Sequence, residues 1–391
     1  MRSLTLSVVY VNRMTLTSAL GTGLSAMREN LASSTGGLRP SRWPDSDVPC
    51  FLGEVDLSSV AELPAARRSR NNRLIELALE QDGFASAVAD EVARAGAHRV
   101  GVVMGTSTSG IDRAEEAFRH LDADGRFEPQ FWQPQVFTPH APGDYVAERL
   151  GLQGPCLTVS AACASSAKVF AVARRWLEQD LVDAVVVGGA DNLCLSVIYG
   201  FHSLQLVAPE PCRPFSPDRQ GISLGEAAGF ALLTRKSDGL VRLAGVGESC
   251  DAYHMSSAHP DGLGAKLSMQ RALDAADLTL AQVDYVNLHG TGTRANDDVE
   301  GRVCAAMADD RTLFSATKGW TGHTLGAAGI VESVLTINAI VTGLVPGTMN
   351  TQVSEAGFNL LLNNEQHQVR RALTNSFGFG GNNCSVVFEA I

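Results

Sequence analysis

Three side chains stand where a substrate can be acted on. Cys163 lies in Ser160-Ala161-Ala162-Cys163-Ala164-Ser165-Ser166, at the junction of an apolar strand and a helix. Small neighbours leave its sulfur reachable. A helix N-terminus carries roughly half a positive charge, which favours the thiolate of a group whose ordinary pKa is about 8.5. His289 ends an apolar run in His289-Gly290-Thr291-Gly292-Thr293. His323 sits in Gly322-His323-Thr324-Leu325-Gly326-Ala327-Ala328-Gly329, just before a helix. Glycine and threonine around each imidazole put it at a sharp turn open to a substrate. Most cysteines in a fold are inert, and Cys156, Cys194 and Cys250 are read that way. His254 and His259, five apart on a loop, have poor spacing for a metal.

Elements that alternate strand and helix must carry these groups. Val100–Met104 reads as a buried strand ending in Gly105-Thr106, and Leu157–Ser160 as another running into Cys163. Val169, Val172, Ala173 and Trp176 recur at helical spacing, so a helix starts near Ala164. Ala184–Val187 is a strand closed by Gly188-Gly189. The class is α/β with a mostly parallel buried sheet. An internal echo runs through the chain. Strand then Gly-Thr occurs at 102–106 and 286–291, strand-turn-helix at 157–177 and 313–342, and glycine turn then strand at 221–233 and 378–388. Three echoes in one order indicate duplication, with a hinge near Arg235–Leu240 between halves 1–235 and 236–391. Met1–Val11 reads as a first strand rather than a signal peptide. Stretches 36–49 and 131–143 read as long surface or lid loops.

Composition bounds the partners. The 391 residues carry 31 basic and 42 acidic side chains, a net charge of −11. Charged residues make up 19% and hydrophobic ones 45%, so the chain has ample surface to bury and is not disordered. The acidic balance argues against nucleic acid, and no apolar run reaches the roughly 18 residues of a membrane span. Eight scattered cysteines without a C-x-x-C pair indicate free thiols in a reducing, cytoplasmic compartment and no metal site.

Several further motifs join the cysteine and histidines. Lys318 precedes Gly322-His323, Asn375-Ser376-Phe377-Gly378-Phe379-Gly380-Gly381 lies near the end, and Arg213-Pro214-Phe215-Ser216-Pro217-Asp218-Arg219 lies mid-chain. In this order, from the first strand to the end, they resemble the elongating β-ketoacyl-acyl carrier protein synthases. The resemblance implies a thiolase fold, with duplicated βαβαβ halves in a five-layered αβαβα body, and a decarboxylative Claisen condensation. Cys163 would take an acyl group from a carrier-protein thioester. Malonyl-carrier protein would then lose carbon dioxide and attack it, giving a 3-oxoacyl chain two carbons longer. By the same resemblance, the N–H groups of Cys163 and Phe379 would cradle the acyl oxyanion, and His289 and His323 would stabilise the enolate. Lys318 and Glu300 would pair beside them, with Asp297 in the same polar cluster. Thr291 and Thr293 would bind the phosphopantetheine arm. Phe377 and Phe379 would form a gate, and Phe201 with residues near 107–111 would shape the acyl pocket. The enzyme itself would bind no cofactor; its substrates arrive on the carrier's phosphopantetheine.

The family's carrier protein is acidic, so an acidic synthase needs a local cationic dock. Arg67, Arg68, Arg70 and Arg73, in a segment matching the docking helix, are the candidates, ahead of Arg174 and Arg175. The family is usually dimeric; the partner would be a second copy or a paralogous chain-length subunit. The sequence departs from the family at Gly380-Gly381-Asn382-Asn383, Ser216, Gln220 and Glu226-Ala227-Ala228. With Gly200–Leu206, these departures resemble synthases of specialised pathways such as aryl polyene assembly, against the alternative of housekeeping fatty-acid elongation. Cys384 inside the last strand disfavours a degradative thiolase, His323 disfavours a starter-unit synthase, and Cys163 disfavours a non-catalytic chain-length subunit.

Overall fold

The computed structural model describes residues 8–391. In the first half the chain forms strand β1 (Tyr10–Ser18), helices α1 (Arg70–Leu79) and α2 (Phe84–Ala95), strand β2 (Val100–Gly105) and helices α3 (Ile111–Arg119) and α4 (Ala141–Leu150). Strand β3 (Cys156–Val159), helix α5 (Ser165–Glu178), strand β4 (Ala184–Asp191), helix α6 (Leu195–Ser203) and strand β5 (Ala227–Thr234) follow, and a further helix over Gly23–Ala32 lies between β1 and α1 in the chain. The second half holds β6 (Val241–Cys250), α7 (Leu263–Ala276), β7 (Tyr285–Leu288), α8 (Arg294–Met307), β8 (Leu313–Ala316), α9 (Ala328–Thr342), β9 (Arg371–Gly378) and β10 (Asn382–Glu389).

The two halves repeat one topology. The first orders its strands β3-β2-β4-β5-β1 and the second β8-β7-β9-β10-β6. Each strand therefore has a counterpart five numbers on, and α5 corresponds to α9. Strands β2, β3 and β4 run parallel, as do β7, β8 and β9, but β5, β1, β6 and β10 join them antiparallel, so the sheet is mixed rather than mostly parallel as the sequence suggested. The two sheets join where β1 meets β6 through Tyr10–Arg242 and Val11–Val241. Helices α1, α2 and α4 cover the outer face of the first sheet and α7 that of the second, while α5 and α9 lie between the sheets and touch both. The layers are αβαβα. Because β2 and β4 are sandwiched between helices, every residue of both is buried, and both read as apolar or glycine runs, broken only by Asp191 at the end of β4.

Glycines set the closeness of the central layer. A Cβ at Gly329 of α9 would stand 2.3 Å from the Ala167 backbone nitrogen, and one at Gly189 of β4 would stand 2.5 Å from Ser166 Cβ. The Ile330 N–H donates to Ser166 Oγ at 2.9 Å. The first turn of α5 is thus pressed against both α9 and the sheet.

The structure revises several expectations. Gly188-Gly189 does not close a strand; β4 continues to Asp191, since the missing side chains admit the Phe230 ring and α5. Stretch 131–143 is mostly short helix: a 3-10 turn at Pro129–Phe131, a single turn at Pro134–Phe137 and the start of α4. Pro129, Pro134 and Pro142 occupy the first one or two positions of these helices, where no N–H is needed, and Pro139 lies in the turn before α4. The expected strand at Met1–Val11 falls partly outside the described residues; within them it starts at Tyr10 and runs on to Ser18. The stretch Leu325–Thr342 has a mean hydropathy of 1.6, enough by composition for a membrane span, but it is buried between the sheets.

Candidate active site

The parallel strands deliver the reactive groups from their carboxyl ends, where α/β sheets hold ligands. Cys163 follows β3 and precedes α5, with Ala162 in the left-handed region at φ 49°. His323 follows β8 and precedes α9, the corresponding place in the second half. His289 follows β7 directly. The donor atoms of Cys163, His289 and His323 all lie within 4.8 Å of one another, and all three residues are buried. The two imidazoles stand edge to face, with centroids 5.5 Å apart.

Each imidazole has its tautomer fixed from behind. The Leu325 N–H donates to His323 Nδ1 at 3.1 Å, and Lys318 Nζ reaches His289 Nδ1 at 3.2 Å. An acceptor Nδ1 leaves the proton on Nε2 of each ring. Burial, and then the charge of Lys318, hold both histidines well below their ordinary pKa, so they are neutral donors. The same pattern argues against a metal at this cluster. An imidazole that binds a metal donates its outer N–H to an acceptor, whereas both outer nitrogens here meet donors. The arrangement suits an oxyanion.

The sulfur behaves differently from expectation. Burial pushes the Cys163 thiol up to about 11, against the charge of Lys318 and the N–H groups of Phe379 and of Cys163 itself. The helix N-terminus does not win: loss of water on burial outweighs it, and the resting group is the thiol. The Phe379 and Cys163 N–H groups aimed at the sulfur are the pair that can receive a carbonyl oxygen there.

The expected polar cluster is partly redrawn. Lys318 pairs not with Glu300 but with Glu332 of α9. Glu300 instead accepts the N–H groups of His289 and Gly290, each at 2.8 Å. Asp297 accepts Thr291 N–H at 3.0 Å and Phe215 N–H at 2.9 Å. Both carboxyls lie behind the loop rather than in the cleft, and burial raises both pKa values. Glu332 was missed in sequence. Its signal is a lone charge in Gly329-Ile330-Val331-Glu332-Ser333-Val334, an otherwise apolar helix whose buried acid needs a cation.

Thr291, Thr293, Phe201, Phe377 and Phe379 line one cleft with Cys163 and the histidines, as the sequence led one to expect. The hydroxyls of Thr291 and Thr293 are 2.8 Å apart. Phe201 faces Phe379 at 6.0 Å, and Phe377 faces His289 at 5.9 Å. Residues 106–109 and Ile111 line a separate hollow with Phe137 and Ser160.

The four docking arginines do not form a cationic face. Arg70 turns inward to the buried Glu226, with Nε–Oε2 at 2.7 Å and its guanidinium over Trp43. Arg73 donates to the Leu57 and Val60 carbonyls, and Arg67 pairs with Glu148. Only Arg68 is exposed, and Glu62 lies 3.2 Å from it. The acids missing from the local sequence return from elsewhere in the chain. Arg174 and Arg175 are likewise paired, with Glu178 and Glu248. Cys156 and Cys250, expected to be inert core cysteines, are exposed.

Models of the beta-ketoacyl synthase family match the chain, the N-terminal domain over residues 72–239 and the C-terminal domain over 240–352. The sequence is 32% identical to nodulation protein E of Rhizobium leguminosarum bv. trifolii, over 91% of this chain and 88% of that one. It is 35% identical to 3-oxoacyl-[acyl-carrier-protein] synthase 2 of Vibrio harveyi, over 77% and 78%. It superposes with a TM-score of 0.88 and 35% identity, over the whole of both chains, on a chain from the structure of a Xenorhabdus doucetiae ketosynthase in complex with its chain length factor.

Proposed function

The chain belongs to the beta-ketoacyl synthase family, and on that premise we propose how its residues share the work. The enzyme is a 3-oxoacyl-carrier-protein synthase, a condensing acyltransferase of thiolase-like fold. The observation that carries the assignment of roles is the convergence of Cys163, His289 and His323 within 4.8 Å.

In the first half-reaction the Cys163 sulfur bonds to the acyl carbonyl carbon. The pantetheine thiolate leaves and takes up the proton that Cys163 gives up. The carbonyl oxygen, negative in passing, sits between the Cys163 and Phe379 N–H groups. In the second, the bond between the malonyl α-carbon and its carboxylate breaks and carbon dioxide leaves. The electron pair forms an enolate whose oxygen accepts from Nε2–H of His289 and His323. The α-carbon then bonds to the acyl carbon and Cys163 leaves as thiolate. Neutral imidazoles serve here because they donate without offering the carbanion an acidic proton to quench it. Lys318, paired with Glu332, fixes the His289 tautomer, and Glu300 and Asp297 fix the backbone of 289–292. Thr291 and Thr293 receive the phosphopantetheine arm.

Two finer readings go with this. The pathway is a specialised one of the aryl polyene kind; Gly380-Gly381-Asn382-Asn383 and Gly200–Leu206 support it. The enzyme works as a dimer, with a second copy or a paralogous chain-length subunit seated at edge strand β3. Among the described residues that strand's outer side is unpaired, Cys156 and Leu157 are exposed on it, and Phe118 and Trp132 are exposed in the neighbouring 111–137 segment.

The test is intact-protein mass spectrometry with a panel of acyl-carrier proteins, followed by malonyl-carrier protein. The wild type should gain one acyl mass and release a product two carbons longer. A Cys163→Ala protein that still gains the acyl mass would remove the nucleophile.

A further inference from the structure

We propose that Asp191 is a positioning residue for His323, an inference that rests on reading His323 as a donor to the enolate. Asp191 ends β4 and is wholly buried. Among the described residues no cation pairs with its carboxylate. It is held instead by neutral donors from two places. From the loop after β2 it accepts Ser107 N–H at 2.9 Å, Ser107 Oγ at 2.6 Å, Thr108 N–H at 3.1 Å, Thr108 Oγ1 at 2.9 Å and the Thr106 hydroxyl. From the turn that carries His323 it accepts Gly326 N–H at 2.6 Å.

That last bond reaches the imidazole in one step. Leu325 lies in the left-handed region at φ 56°, a conformation that a leucine keeps only where its surroundings impose it. The Asp191 carboxylate grips the residue immediately after it. The Leu325 N–H, oriented by that conformation, is the donor to His323 Nδ1. The fit is close: a Cβ on Gly326 would stand 2.6 Å from both Asp191 Oδ2 and the Ser107 nitrogen. The loop after β2 is the counterpart, in the first half, of the loop that carries His289. It bears no imidazole; through Asp191 it serves as the anchor for the other one.

Asp191→Asn would put an amide donor against some of these donors and release Gly326. In this variant the ¹⁵N spectrum of the His323 ring should lose the single Nε2–H tautomer. Release of carbon dioxide from malonyl-carrier protein should fall about tenfold to a hundredfold, while acyl loading on Cys163 stays within about threefold. Ser107→Ala, which removes one hydroxyl and should fold, should move the tautomer and carbon dioxide release the same way by less, with loading again little changed. A role in stability alone would lower loading and decarboxylation together and leave the tautomer of the folded fraction unchanged; that result overturns the proposal. The nitrogen spectrum decides the positioning claim even in a protein that performs no condensation, so the two readings fail separately.

Discussion

At the scale of residues, the site is built from groups that burial holds in their neutral forms. Cys163 rests as a thiol with its pKa pushed up to about 11. Its alkylation by iodoacetamide should therefore keep rising with pH beyond the roughly 8.5 of a free cysteine, with no plateau there. A plateau near that value would show that the sulfur is solvated. The imidazoles are depressed well below the ordinary 6.5. The unfolded chain takes up these two protons below that pH and the folded chain does not. The stability from keeping them neutral is therefore complete above the unfolded value and is lost as pH falls. The melting temperature should drop as pH goes from about 7 to about 5, less steeply in His323→Asn than in the wild type; parallel curves would contradict this. Cys163, His289 and His323 were legible because glycine, alanine and threonine around them mark turns. The Lys318–Glu332 pair was not, because fourteen positions and a change of element separate the two. Nor was the sulfur's pKa, because a helix N-terminus can be read from sequence and the dryness of a cleft cannot.

At the scale of elements, two contacts decide whether the groups meet. The first is the crossing of α5 and α9 at Gly329 and Ala167. Gly329→Ala must push the helices apart, costing about 1–3 kcal/mol, and because Cys163 and His323 lie at the ends of these two helices it should cut activity beyond the loss of stability. Unfolding in urea beside the condensation rate checks this; an unchanged rate and midpoint would refute the close crossing. The second is Arg70, which the sequence offered for docking and the fold uses in a pair with the buried Glu226. Breaking such a pair costs about 3 kcal/mol. Arg70→Ala should therefore lower the urea midpoint markedly and Arg68→Ala hardly at all. A run of four arginines looks like a surface only while the acids that fold back onto it, Glu226 and Glu148, are out of sight.

At the scale of the whole molecule, duplication explains why one site forms. The nucleophile and one imidazole occupy the same loop of two copies of one topology, and the central helices bring those loops to a single cleft. The echoes in sequence sufficed to show this because glycines and strands recur in the same order. The finer length of each strand was not legible, since glycines that admit a neighbouring helix look the same as glycines that turn a chain. If one sulfur holds the chain while two neutral rings steady the enolate, the two steps must fail separately. Acyl loading and carbon dioxide release should be measured side by side in Cys163→Ala, His289→Ala and His323→Ala. No loading is expected in the first. In the other two, loading should be near normal with decarboxylation lowered on the order of a hundredfold. Histidine variants that load slowly yet decarboxylate normally would overturn this division of labour.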